Sequence, residues 1–238
     1  MDMVIVNRPR YHDLEAYDQE LEVIGRPAVV PEHPEYRAVK RALDLLICLC
    51  ALPIVLPILA VCALAIKLDS PGPVFFVQER IGKGGRRFKM IKLRTMQAQV
   101  NQEQHREYMK AFVKGQAVGA NGATFKPAAQ VTRLGRFLRK ASLDELPQLL
   151  NVLKGEMSLI GPRPNLAWEV EEYQLWHHER LEVLPGITGL AQVHGRSSIP
   201  FDQIIRHDVE YVEKMSFWLD VKILWWTFLT VVRASGAR

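Results

Sequence analysis

The chain has 238 residues, with 31 Lys and Arg against 26 Asp and Glu, for a formal net charge of +5. That length allows one domain with appendages, and the basic balance favours anionic partners without choosing among nucleic acid, acidic lipid and phosphorylated small molecules. Cys48, Cys50 and Cys62 fall inside one apolar run without CxxC or zinc spacing, which argues against a disulfide framework or a structural metal site.

Residues 1–38 are polar and charged and read as an N-terminal tail. From Leu45 to Ile66 no charge occurs. About 22 helical residues at a rise of about 1.5 Å reach roughly 33 Å, the thickness of a bilayer core. A charged segment precedes the run and no cleavage site follows it, so a signal peptide is not expected. Pro53 and Pro57 sit mid-run, where each removes a backbone donor and predicts a bend. Lys40 and Arg41 flank one end, and Lys67, Arg80, Lys83, Arg86 and Arg87 follow the other. Cytoplasmic flanks favour Lys and Arg. Two basic flanks therefore favour a re-entrant hairpin over a straight span.

Further along, Val74–Val77 and Phe88–Leu93 read as strands joined by a turn at 82–85. Residues 97–130 read as a helix and then a mobile loop. Leu134, Phe137, Leu138 and Ala141 mark one short helix, and Leu146, Leu149, Leu150 and Leu153 a second, stopped by Gly155. Leu166–Leu184 reads as a helix, Pro185–Gly189 as a turn and Asp202–Met215 as a helix. A final stretch holds Phe217, Trp218, Trp225, Trp226 and Phe228, which suits either an interfacial helix or a core helix.

Candidate chemistry centres on Ser142-Leu143-Asp144-Glu145-Leu146-Pro147. Ser142 with Glu145 fits a capping box, and Asp144 alone fits an N-cap. Either register sets two carboxylates at a helix N-terminus, where the dipole favours their ionised form and free amides can receive phosphate oxygens. Simple capping explains the same residues. Lys89, Lys92, Arg94, Arg133, Arg136, Arg139 and Arg163 supply cations before and after the carboxylates. Arg163 stands between Pro162 and Pro164, whose rigidity lowers the entropy of holding a guanidinium against phosphate. His177 and His178 are adjacent on an expected helix and diverge, so no shared metal and no catalytic histidine is expected.

Taken in order, several segments resemble the bacterial sugar transferases of the monotopic phosphoglycosyl transferase superfamily. They are residues 40–44 (KRALD), 88–96 (FKMIKLRTM), 139–149 (RKASLDELPQL), 155–164 (GEMSLIGPRP) and 185–193 (PGITGLAQV). The resemblance implies a small, mainly helical α+β protein of the compact type. It has a re-entrant membrane helix over 39–67, broken at Pro57 with Pro53 nearby, and a catalytic domain over 68–238. That domain holds a β-hairpin, interfacial helices and a cytoplasmic face on the bacterial inner membrane. The implied reaction moves a sugar-1-phosphate from a UDP-sugar to a polyprenyl phosphate through an aspartyl-phosphosugar intermediate, releasing UMP. Asp144 would be the nucleophile, and Glu145 would hold Mg²⁺. Lys92, Arg94, Arg139, Arg163, Pro164 and Gln192 would bind substrate. Membrane lipids are expected partners, nucleic acid is not, and a homodimer is allowed for. Three alternatives stay open: a glycosyl transferase releasing UDP, an aspartate-dependent phosphohydrolase and a non-catalytic basic membrane adaptor.

Overall fold

The computed structural model describes residues 34–97, 110, 112–113, 131–195 and 199–232. Residues 1–33 of the expected tail, and nearly all of the helix and loop expected over 97–130, lie outside the described residues.

Helix α1 spans Pro34–Asp69, so it begins within the stretch read as tail. Pro53 and Pro57 lie inside this one helix rather than between two. Its buried residues, Asp44, Cys48, Val55, Cys62 and Ile66, recur at spacings of four and seven and form a single stripe. The opposite face is bare: Ile54 is 68% exposed and Val61 70%. A core helix of a water-soluble domain would not leave such a surface uncovered. By length and composition α1 is able to cross a membrane.

The stripe rests along the domain for its whole length. Near its start, Arg41 donates to the carbonyls of Val152 (2.6 Å) and Leu153 (3.2 Å), and Asp44 accepts from the Leu159 amide. Midway, Cys48 and Val55 pack with Phe88, Met90, Leu149, Val152 and Met157. Near its end, Cys62 and Ile66 pack with Leu93 and Leu138.

Strands β1 (Phe75–Ile81) and β2 (Arg87–Leu93) form the expected antiparallel hairpin, with Phe75 opposite Leu93 and Ile81 opposite Arg87. Helix α2 (Arg133–Lys140) is capped by Thr132, whose hydroxyl accepts from Gly135 N, a contact that stabilises a helix by about 1 kcal/mol. A 3₁₀ segment over Leu143–Gln148 leads into α3 (Leu149–Lys154). Gly155 ends α3 at φ 82°, a left-handed conformation that a side chain disfavours.

Two sequence expectations fail beyond that point. The stretch 166–184 is not one helix but α4 (Ala167–Val170) and a 3₁₀ segment over Leu175–Glu182. Local side chains capture the backbone there: Glu169 accepts from Leu166 N at 2.6 Å, and His177 Nδ1 accepts from Gln174 N. The expected turn at 185–189 is strand β4 (Gly186–Thr188), parallel to β3 (Ser158–Ile160). Gly161 and Gly186 approach so closely that a Cβ on either would strike the other's backbone. After β4 come α5 (Leu190–His194), α6 (Phe201–Lys214) and α7 (Phe217–Val232). Asp220 of α7 is buried and accepts from Tyr36 (2.6 Å), Lys40 (2.9 Å) and Tyr211 (2.9 Å), so the last helix is clamped to the start of the first. On its other face Trp218, Trp225 and Phe228 are exposed.

Candidate active site

Ser142 is the one non-glycine residue with positive φ among the described residues, at 55°. Its side chain caps nothing, so neither the capping box nor an Asp144 N-cap forms. A left-handed residue costs on the order of 1–2 kcal/mol, and here it turns the chain so that the next residues pack on β2. Asp144 ends 9% exposed, and Glu145 meets two cations. Lys92 Nζ and Arg163 Nη1 each lie 3.1 Å from the same oxygen, Glu145 Oε1.

This cluster sets the charges. Burial alone would raise Glu145, but Arg163 and Lys92 overcome it and hold the carboxyl at about 2. Burial, aided by Arg163, lowers Lys92 to about 8 against the pull of Glu145. Burial and then Glu145 push Asp144 above its ordinary value, while Lys92, Arg139 and Arg163 limit the rise. Glu145 in turn raises Arg163. The cations of the cluster thus favour the ionised form of both carboxylates against burial.

The other expected residues divide. Arg139 Nε donates to Thr95 Oγ1 at 2.9 Å, and the residue lies within electrostatic reach of Asp144. Arg94 is turned elsewhere: its guanidinium is buried against the carbonyls of Pro71 (2.6 Å) and Ser70 (2.7 Å), just before β1. Pro164 and Gln192 both line a cleft of about 560 Å³ whose polar end holds Glu145 and Arg163. Gln192 is buried, and neither atom of its amide finds a hydrogen-bond partner. His177 is buried among Tyr173, Trp176 and Phe201, and burial lowers it to about 3, so it is neutral.

Two positioning residues escaped the sequence reading. Asn151, fully buried on α3, donates to Lys89 O (2.8 Å) and Glu156 (2.7 Å) and accepts from Ile91 N, tying α3 to the strand that carries Lys92. An asparagine amid helical leucines was the available signal. Arg180 lies 2.6 Å from Asp208, donates to Tyr173 at 2.6 Å, and donates to the Arg163 carbonyl at 2.7 Å. It holds the backbone of the very residue whose side chain meets Glu145.

Residues 35–234 match the bacterial sugar transferase family, and the chain belongs to it. A UDP-N-acetylgalactosamine-undecaprenyl-phosphate N-acetylgalactosaminephosphotransferase of Aeromonas hydrophila is 41% identical over 86% of this chain and 46% of its own length. A UDP-glucose:undecaprenyl-phosphate glucose-1-phosphate transferase of Xanthomonas campestris pv. campestris is 37% identical over 97% of this chain and 47% of its own. One of the same description from Caulobacter vibrioides is 39% identical over 83% of this chain and 71% of its own. The chain thus spans less than half the length of the first two relatives.

Proposed function

We propose that this chain transfers a sugar-1-phosphate from a UDP-sugar to undecaprenyl or a similar polyprenyl phosphate. The observation that carries this reading is a buried Asp144 beside a Glu145 shared by Lys92 and Arg163, at one end of a cleft, in a member of this family.

An oxygen of Asp144 attacks the sugar-linked phosphorus, forming an aspartyl–phosphorus bond as the bond to the bridging oxygen of UMP breaks. A phosphate oxygen of the lipid then attacks the same phosphorus, and the Asp144 carboxylate leaves. No water is consumed. A carboxylate held above its ordinary pKa is more basic, and so more nucleophilic, provided the cations keep it ionised. Arg163, Lys92 and Arg139 neutralise diphosphate charge, and positioning by charge is the main aid a protein gives to phosphoryl transfer.

The site is suited to Mg²⁺ in kind. That ion takes one or two carboxylates together with phosphate oxygens and water, and both hydrogen bonds to Glu145 fall on Oε1, leaving Oε2 for it. Glu145 is the ligand this reading assigns, and the ion would screen the diphosphate's charge when bound.

The re-entrant arrangement of α1 belongs to the same proposal. Its support is that both flanks of the helix pack on one body: Arg41 and Asp44 on α3 and β3, and Cys62 and Ile66 on β2 and α2. A straight span would carry one flank away from the domain. With both flanks on one side, the catalytic face lies in the cytoplasm at the inner membrane, where the basic flanks are favoured. Nucleotide release by the protein in detergent, with Mg²⁺, polyprenyl phosphate and a panel of UDP-sugars, tests the reaction. UMP from one donor, lost in Asp144→Asn, is the expected result; UDP, or equal UMP from the variant, contradicts it.

A further inference from the structure

We propose that the aliphatic wall of the cleft binds the first isoprene units of the lipid acceptor, so that α7 is both a membrane-facing helix and one side of the acceptor groove. The inference rests on the transferase reading above and names where its lipid tail lies.

The cleft is amphiphilic from end to end. Glu145 and Arg163, with Arg80, Glu169 and Arg180, give it charge, but most of its lining is apolar. Leu146, Leu149, Leu159 and Ile187 form one continuous floor. Leu224 and Val231 of α7 add a second apolar wall. A sugar nucleotide, polar along its length, has little use for such walls. A phosphate carried on hydrocarbon matches both ends at once: cations for the head, aliphatic side chains for the tail.

The surroundings of each wall point the same way. The floor belongs to the same packed cluster as Cys48 and Val55, the buried stripe of α1, whose outer face is bare and apolar. The second wall is backed by the outward Trp218, Trp225 and Phe228, a composition that suits the headgroup region. One side of the groove is therefore carried on a helix whose other face suits lipid, and the floor packs against a second such helix, α1. A chain leaving the cleft between them passes into hydrocarbon without crossing water. Thr227, between Leu224 and Val231, does not spoil the surface: its hydroxyl donates to Ile223 O at 2.7 Å and accepts from Thr188 at 2.7 Å.

The two half-reactions separate this groove from the rest of the site. UMP exchange into UDP-sugar without acceptor reads only the first. Transfer to polyprenyl phosphate reads both. Leu224→Asn and Val231→Asn, made in the full chain and checked for an unchanged melting temperature, should keep UMP exchange within about twofold. They should lower transfer to a long polyprenyl phosphate tenfold or more, since each sets a polar amide against the hydrocarbon tail. The preference of the wild type for that acceptor over geranyl phosphate should shrink in step. A photoreactive polyprenyl phosphate should label α7 and be displaced by unlabelled polyprenyl phosphate. Displacement by phosphatidylglycerol at equal concentration would make the groove a site for bulk lipid and overturn the inference. Equal loss of both half-reactions, or loss of neither, would also overturn it. A wild type that performs neither exchange nor transfer would instead remove the transferase reading itself.

Discussion

Two charge clusters lie close together in this protein and are built to opposite ends. Arg180 and Asp208 are 2% and 1% exposed and 2.6 Å apart, and Arg180 also donates to Tyr173 and the Arg163 carbonyl. The pair is cut off from water and spent mainly on packing. Glu145, Lys92 and Arg163 are 22%, 13% and 45% exposed, and two cations compete for one oxygen. The first cluster is closed and fixes a backbone. The second is open and partly wet, so its cations are able to turn to an anionic ligand. A buried charge that loses its partner costs several kcal/mol, whereas a half-wet one relaxes into water. The comparison teaches which of the two is scaffold and which is site.

Breaking the closed cluster should give the largest effect. Asp208→Asn leaves Arg180 buried without its counter-charge and should destabilise the fold by about 3–5 kcal/mol, read as a fall in melting temperature. Breaking the open cluster should do the reverse. Glu145→Gln should lower turnover by about 100-fold while the melting temperature at pH 7 falls by less than in Asp208→Asn, because this carboxylate is partly wet. It should also flatten the acid side of the stability curve. Glu145 is held at about 2 against an ordinary 4.5, so its contribution is complete above 4.5 and is lost as pH falls through 2. Should Glu145→Gln and Asp208→Asn prove equally destabilising, the contrast between the clusters collapses.

A smaller effect sharpens the account of how the site is held. Asn151→Ala removes two hydrogen bonds between α3 and β2 and a third to Glu156, and should cost about 2 kcal/mol of stability. Turnover should fall with it, because Lys92 loses its support. The smallest effect is the one of most diagnostic sign. Lys92 is held at about 8, below its ordinary 10.5. Above pH 8 it loses its charge, so turnover should fall about tenfold per pH unit. Between 8 and 10.5 the unfolded chain binds more protons at this residue than the folded one, so its contribution to stability rises with pH. Activity and stability should therefore part on the alkaline side, and Lys92→Arg should move the activity limb upward. Parallel loss of both in the wild type would contradict the assignment.

What the sequence made legible was local. The β1–β2 hairpin, α2 and the glycine stop after α3 follow from periodicity and turn chemistry over a few residues, and the structure has all three. The parallel β3–β4 pair did not show, because each strand has three residues and the pairing depends on two distant glycines meeting. Arg180 was invisible for a similar reason: its partner stands on α6, and nothing near it in the chain hints at a charge pair. Arg94 stood out only as a cation two residues after Lys92, and the contacts of its guanidinium with Ser70 and Pro71 join segments more than twenty residues apart. Asp144 and Glu145 stood out as a carboxylate pair, yet the cations that set their charges come from β2, α2 and the loop after β3, which only the fold brings together.

The most direct test of the central claim is the mass of the protein after brief exposure to its UDP-sugar with Mg²⁺ and no lipid acceptor. The account predicts a gain of one sugar phosphate on Asp144, matched by one UMP released, discharged on adding polyprenyl phosphate and absent from Asp144→Asn. Release of UDP with no gain in mass, or the same adduct on the Asp144→Asn protein, would contradict it.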